Sequence, residues 1–171
     1  EEAEKWFRKV IELKPNYAET HYNLGIILKD IGKLKDAEIS YHKAIEIKPN
    51  YADAHYNLGN LLRDFGKSQE AELSYRKAIE IKPDFAEAHS NLGNILNGLG
   101  KSQEAELSYC KAIELKPDFA EAHSNLGNIL NDLGKSQEAL DSYMKVIEIN
   151  PTFSNIYSSI TRFIKESDIS Q

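Results

Sequence analysis

Apolar and polar positions along this chain alternate with the period of an α-helix, and the alternation itself recurs. In 86–119 the residues Ala86, His89, Leu92, Gly93 and Leu96 return at spacings that put them on one face of a first helix. Ala105, Tyr109, Ala112 and Ile113 do the same for a second helix. Gly100 stands between them, and glycine is favoured just past a helix end. Pro117 closes the second helix, because proline cannot continue one. The segment therefore reads as helix, turn, helix.

The next stretch, 120–153, matches 86–119 at 26 of 34 positions, and the same pattern, less closely kept, fills 52–85 and 18–51. A fixed period of this length predicts stacked repeats, each packing on its neighbours along one axis. Ala3, Phe7, Val10 and Ile11 stand 34 residues before Ala37, Tyr41, Ala44 and Ile45, so 1–17 reads as the second helix of a truncated repeat. Tyr157, Ile160 and Ile164 begin another first helix, whose other faces carry Ser158, Ser159, Arg162, Lys165 and Glu166. Residues 154–171 are thus expected to form a C-terminal capping helix and tail, polar as a terminal repeat must be. The expected architecture is all-α: one solenoid of antiparallel helix pairs over 1–171, with full repeats at 18–51, 52–85, 86–119 and 120–153.

Local signals agree with these boundaries. Each first helix is preceded by Asn or Asp with an acid three residues on: Asn16/Glu19, Asn50/Asp53, Asp84/Glu87 and Asp118/Glu121. That spacing predicts a side-chain N-cap and a capping-box-like pair. Gly25, Gly59, Gly93 and Gly127 fall on the inner face of each first helix, and Ala37, Ala71, Ala105 and Ala139 on that of each second. A glycine inside a helix costs about 1 kcal/mol against alanine. Its return in every repeat predicts that the two helices approach closely there.

Composition narrows the function. Hydrophobic residues are 41% of the chain, enough for a core that runs from repeat to repeat. The formal net charge of −6 argues against a nucleic-acid partner, which would need a basic stripe, and favours a partner with basic character. No run of about 18 apolar residues occurs, so no membrane-spanning helix and no membrane partner are expected. The single cysteine, Cys110, cannot form an intramolecular disulfide; a reducing compartment is allowed, and the cytoplasm is the expected location. The chain opens at Glu1 in mid-pattern, as a piece of a longer protein would.

The residues that carry the pattern are those of the tetratricopeptide repeat (TPR). The family's order is a large residue, Leu-Gly, a large apolar residue, alanine, an aromatic, alanine and proline. In 52–85 these are His55, Leu58-Gly59, Leu62, Ala71, Tyr75, Ala78 and Pro83. The chain resembles this family over nearly its whole length. It departs from the pattern where His21, His55, His89 and His123 replace a bulky aromatic, and where Val146 replaces the later alanine. The resemblance implies a right-handed superhelix with first helices lining a concave groove, and a protein-interaction scaffold rather than an enzyme. It implies no cofactor. The SNLGN stretches, Ser90–Asn94 and Ser124–Asn128, are similar to repeats of the O-linked N-acetylglucosaminyl transferase family.

Helical counting from the glycine identifies the side chains expected to line the groove. In the third repeat these are Glu87, Ser90, Asn94, Asn97 and Gly98, at roughly 40° to 140°, and Asn91 near 160°. Two asparagine series result: Asn23, Asn57, Asn91 and Asn125 in every repeat, and Asn60, Asn94 and Asn128 with Ile26 in first place. Asn97 and Asn131 stand where Lys29 and Arg63 stand upstream, and Ser90 and Ser124 stand where Tyr22 and Tyr56 do. Asparagine is a mediocre helix former, but its amide offers two donors and an acceptor. Stacked amides could therefore hold the backbone of an extended peptide. The transferase family has such an asparagine ladder, and the resemblance carries that role onto Asn23, Asn57, Asn91 and Asn125. The alternative for this series is structural, amides bonding between adjacent helices. Glu19, Asp53, Glu87 and Glu121 add an acidic row. Some TPR domains grip a terminal carboxylate through a lysine; its place here is taken by Tyr22, Tyr56 or Ser90, so that mode is not expected.

Other features have plainer readings. The four histidines recur a whole repeat apart, too far to share a metal at ligand distances of about 2 Å, and are expected in the core. Cys110 has His42, Arg76 and Met144 as its repeat equivalents, which marks a variable surface position. Ile39, Leu73 and Leu107 point outward, near 200° from the core alanine of each helix. With the open N-terminal face of Ala3, Phe7 and Val10 they offer surfaces for a homo-oligomer. The leading reading is a scaffold that binds a protein or peptide in the groove. The alternatives are a substrate-recruiting arm of a larger enzyme, such as a glycosyl- or other group-transferase, and a self-assembling stacking module.

Overall fold

A computed structural model describes residues 2–152 of the chain. Among them are nine helices and no strand: α1 (Glu2–Leu13), α2 (Ala18–Asp30), α3 (Leu34–Ile47), α4 (Ala52–Asp64), α5 (Ser68–Ile81), α6 (Ala86–Gly98), α7 (Ser102–Leu115), α8 (Ala120–Asp132) and α9 (Ser136–Ile149). The expected capping helix at 154–171 lies outside the described residues. The chain divides into two compact units, Glu1–Pro83 and Asp84–Gln171. In the N-terminal unit α2/α3 and α4/α5 form hairpins, α1 packs on α2, and α3 packs on α4. In the C-terminal unit α6/α7 and α8/α9 form hairpins, and α7 packs on α8. Within each unit the helices pack in consecutive pairs, as expected of an all-α repeat array.

Each first helix ends where the sequence places its glycine. Gly100 takes a left-handed φ of 74° at no steric cost, as do its equivalents in the other repeats. The turn it permits satisfies two orphan carbonyls: Gly100 N donates to Asn97 O at 2.9 Å and Lys101 N to Leu96 O at 2.9 Å. The helix starts differ from expectation. Tyr17, Tyr51, Phe85 and Phe119 occupy the position before each first helix, and no side chain caps those N–H groups. The Asn and Asp residues sit one position too early and belong to the preceding turn, where Ala86 N donates to Asp84 O and Ala120 N to Asp118 O. Two of the first-turn acids reach a lysine instead: Glu19 bonds Lys48 at 3.0 Å and Glu87 bonds Lys116 at 3.5 Å.

The repeated inner-face glycine also has a more specific cause than expected. A Cβ built on Gly93 would lie 2.6 Å from the Tyr109 ring of the following helix, and one on Gly25 or Gly59 would meet Tyr41 or Tyr75 at 2.6 Å and 2.8 Å. A glycine is needed because a tyrosine ring packs against the first helix there, rather than because alanine faces it. Tyr41, Tyr75 and Tyr109 are almost wholly buried, as are the alanines Ala37, Ala71, Ala105 and Ala139.

Three of the histidines join their hairpin to the turn before it. Nε2 of His21, His55 and His123 meets the carbonyl of Pro15, Pro49 and Pro117 at 2.8, 2.9 and 3.0 Å. A carbonyl can only accept, so this nitrogen carries the proton and is not open to a metal. Ion pairs then link successive repeats at a constant separation of 29 residues: Lys33 with Glu4 (2.8 Å) and Lys67 with Glu38 (2.9 Å) in one unit, and Lys135 with Glu106 (2.6 Å) in the other.

Two predictions follow from the glycine–tyrosine contact. Gly93→Ala should lower stability by about 1–3 kcal/mol, the usual penalty for overpacking a core, despite its gain in helix propensity. Gly98→Ala, where a Cβ meets nothing, should be neutral or stabilising by up to about 1 kcal/mol. Paired urea melts measure both. Burial also holds the hydroxyls of Tyr41, Tyr75 and Tyr109 well above the usual tyrosine pKa. Their folded pKa exceeds the unfolded value, so this stability is complete below pH about 10 and is lost as pH rises beyond it. In an alkaline titration their phenolate absorbance should appear together with the loss of helical circular dichroism, not before it.

Candidate functional site

The expected site residues lie on the first helices, and the structure shows how their polar groups are used. In the N-terminal unit Tyr22, Asn23 and Lys29 are on α2, and Tyr56, Asn57, Asn60 and Arg63 on α4. Asn57 Nδ2 donates to Tyr22 Oη at 2.9 Å, a bond between successive repeats. The Tyr22 ring centroid lies 4.9 Å from that of Tyr51 and 6.1 Å from that of Tyr41, and Tyr56 lies 6.0 Å from Tyr75. Burial, then the Asp53 carboxylate, raises the Tyr22 hydroxyl pKa. Burial first, then Tyr22 and the nearby acids, raises that of Tyr51 to about 12. Tyr75 Oη donates to Asn60 Oδ1 at 2.8 Å. Lys29 and Arg63 share one carboxylate, that of Asp64, at 3.9 and 3.1 Å. Lys48 neutralises Glu19 and draws its carboxyl below the usual pKa; its ammonium also stands 4.7 Å from the Tyr51 ring centroid.

The same face of the C-terminal unit is built from amides and hydroxyls. Asn91, Asn94 and Asn97 are on α6, and Ser124, Asn125, Asn128 and Asn131 on α8. Asn94 Oδ1 accepts twice, from Tyr109 Oη at 2.8 Å and from Asn125 Nδ2 at 2.9 Å. Asn128 Oδ1 accepts from Tyr143 Oη at 2.9 Å. A carbonyl oxygen has two lone pairs, so Asn94 is saturated as an acceptor. Both amides are thereby fixed with Nδ2 turned away from the tyrosine. Neither Nδ2 makes a hydrogen bond among the described residues. Asn128 is exposed and Asn94 half-buried. Here the partner of Asn125 differs from that of Asn57 for a visible reason. The repeat equivalent of Tyr22 is Ser90, too short to reach the next repeat, so Asn125 turns to Asn94. Ser90 is buried at 1% exposure, and its Oγ has no partner among the described residues.

The two asparagine series therefore have different environments. Asn57 and Asn125, of the first series, donate within the array, as the structural alternative required. Asn60, Asn94 and Asn128, of the second, accept from a buried tyrosine. Asn97 is exposed, while Asn23, Asn91 and Asn131 are half-buried. Sequence reasoning missed the tyrosines of the second helices as part of this face. Their signal was present: Asn60/Tyr75, Asn94/Tyr109 and Asn128/Tyr143 keep one separation of 15 residues, and Ile26 breaks it only in the first repeat.

Comparisons with known proteins bear on the whole chain. A family profile described as TPR repeat matches residues 1–32, 27–64, 59–100 and 93–134, and one described as tetratricopeptide repeat matches 120–153. Among solved structures, MamA is 29% identical with a TM-score of 0.81, over 87% of each chain. YrrB, described as a TPR protein with an unusual peptide-binding site, is 25% identical with a TM-score of 0.85, over 95% of this chain and 84% of its own. A MamA from Desulfovibrio magneticus RS-1 is 23% identical with a TM-score of 0.80, over 90% and 86%. No curated protein sequence matches. No helix among the described residues is long and apolar enough to cross a membrane. The repeated Leu-Gly, alanine and tyrosine positions, the hairpins they build and these matches agree: the chain belongs to the tetratricopeptide repeat family.

Proposed function

We propose that this chain is a non-enzymatic interaction scaffold, working in a reducing compartment such as the cytoplasm, whose first-helix face holds an extended segment of a partner protein. The observation that carries this reading is the pair of amides Asn94 and Asn128. They stand one repeat apart, each fixed through its carbonyl by a buried tyrosine hydroxyl. Each so presents N–H donors at a set position, and donors aimed before the ligand arrives bind it at lower entropic cost. They would read backbone carbonyls of the segment, whatever its side chains. Asn125 keeps its Oδ1 as an acceptor for a backbone N–H.

This reading shifts the ladder expected from the transferase resemblance. Asn57 and Asn125 position the face, and the second series supplies its donors. The same face of the N-terminal unit adds Tyr22, Tyr56, Lys29 and Arg63, which suit an aromatic or acidic side chain of a partner. Residues 1–171 keep one 34-residue register throughout, and we read them as one array. YrrB, a TPR protein described by its peptide-binding site, supports a peptide as the class of ligand. Exposed Trp6 and Leu13 on α1 favour contact between copies as a second property, which sedimentation across a concentration series tests.

A peptide array probed with the chain should return ligands whose binding tolerates side-chain changes. Against one such ligand, Asn94→Ala with Asn128→Ala should weaken binding by about 5- to 150-fold, the effect of two hydrogen bonds at roughly 0.5–1.5 kcal/mol each. The variant should keep its helicity at low temperature but melt earlier, because the Tyr109 and Tyr143 hydroxyls lose their acceptors, so affinity is measured well below the melt. Unchanged affinity in the double variant would remove the amides from the site. Asn57→Ala should also lower stability, by about 1 kcal/mol through the lost bond to Tyr22, but leave affinity nearly unchanged.

A further inference from the structure

We propose that the C-terminal unit carries a second docking surface, on the flank where α7 and α9 meet α8, for an apolar side chain of a partner polypeptide with a lysine or arginine beside it. The site is a depression of about 490 Å³ lined by Ile113, Leu126 and His123 and bordered by Cys110, Asp141 and Lys145. That volume lies within the range of ligand pockets, roughly 300–1,000 Å³. Leu107 stands on the same stripe of α7, one turn before Cys110, and is 70% exposed. Apolar surface therefore continues from the depression onto the helix.

Cys110 forms one side of the depression. The equivalent residues in the first two repeats are His42 and Arg76. The Arg76 side chain lies back along α5, bonded to Glu72 at 2.9 Å. A cysteine has no such length and leaves the depression open on this side. Partial desolvation raises the Cys110 thiol pKa, so the group serves as a neutral, weakly polar wall.

Charge selects the partner. The lysines around the site already have acids: Lys145 with Glu148 at 2.7 Å, Lys111 with Glu114 at 2.7 Å, and Lys135 with Glu106 at 2.6 Å. Glu138 and Asp141 are left over, three residues apart on α9. Asp141 accepts from the neutral Gln137 amide at 3.1 Å, and Glu138 lies in the field of Lys135, whose ammonium is bonded to Glu106. At the position of Asp141 the second and third repeats carry Leu73 and Leu107. Glu138 recurs as Asp36, Glu70 and Glu104, so Asp141 is what makes this acidic edge particular to the fourth repeat, and a basic flank on the guest answers it.

The probes are two short amidated peptides, one with a leucine between two lysines and the other with glutamates in place of the lysines. The lysine peptide should shift the methyl resonances of Ile113 and Leu126 saturably, and the glutamate peptide should bind at least tenfold more weakly. Cys110→Arg, which gives the site the residue of position 76, should abolish the shifts, whereas Cys110→Ser should keep them. Glu138→Gln with Asp141→Asn should weaken binding severalfold at unchanged helicity. Asn94→Ala with Asn128→Ala should leave these shifts intact, which separates this surface from the first-helix face. Equal binding of the two peptides, absence of shifts, or indifference to Cys110→Arg would overturn the proposal.

Discussion

The structure depends on one contact repeated in every hairpin: a tyrosine ring of the second helix pressed against a glycine of the first. Tyr109 on Gly93 shows what it achieves. The ring fills the space a Cβ would occupy, so the helices meet without a void. The hydroxyl, carried past the glycine, donates to Asn94, the next residue of the first helix. A buried phenol must satisfy its O–H, and an asparagine one residue after the glycine does so. Core packing and the polarity of the outer face are thus set by one side chain.

This coupling explains why asparagine is tolerated on these helices despite its modest propensity. The second series completes the tyrosines. In the first series Asn57 and Asn125 tie one repeat to the next through Tyr22 and Asn94. An amide used through its oxygen still has two protons to offer, and one used through its nitrogen still has an acceptor. The same residues can therefore hold the scaffold together and face a ligand. Structural and binding roles are less opposed here than the sequence made them look.

Much of this was legible in the sequence because it rests on period and on residues with few conformational choices. Gly100 and Pro117 marked helix ends, and the turn geometry at Gly100 agrees with its place in the sequence. Helical counting put Tyr109, Ala105 and Leu92 in the core, where they are. The N-caps failed because capping needs the side chain at a particular position, and Asp84 and Asp118 stand one residue too far upstream. The partner of Gly93 was misjudged because counting gives a direction, not a reach. Alanine and tyrosine share the inner face of the second helix, and only the ring is long enough to touch. The bonds of Asn57 and Asn125 were beyond counting for the same reason: they depend on whether position 22 or 90 carries a long tyrosine or a short serine.

With the hairpin secured by a ring and a glycine, other positions are free to differ, and the last two full repeats show which ones have. They match at 26 of 34 positions, so eight differ. One is Gly98/Asp132, at the end of the first helix; the rest lie on the second helix or the turn after it, among them Glu106/Leu140, Leu107/Asp141 and Cys110/Met144. Every amide and hydroxyl of the first-helix face is the same in both copies. Equal donors one repeat apart suit a ligand that itself repeats, and a peptide backbone is such a ligand. The flank of second helices has no such periodicity to match. Its differences make each repeat individual there, so selectivity among partners is more easily written on that side than on the uniform one.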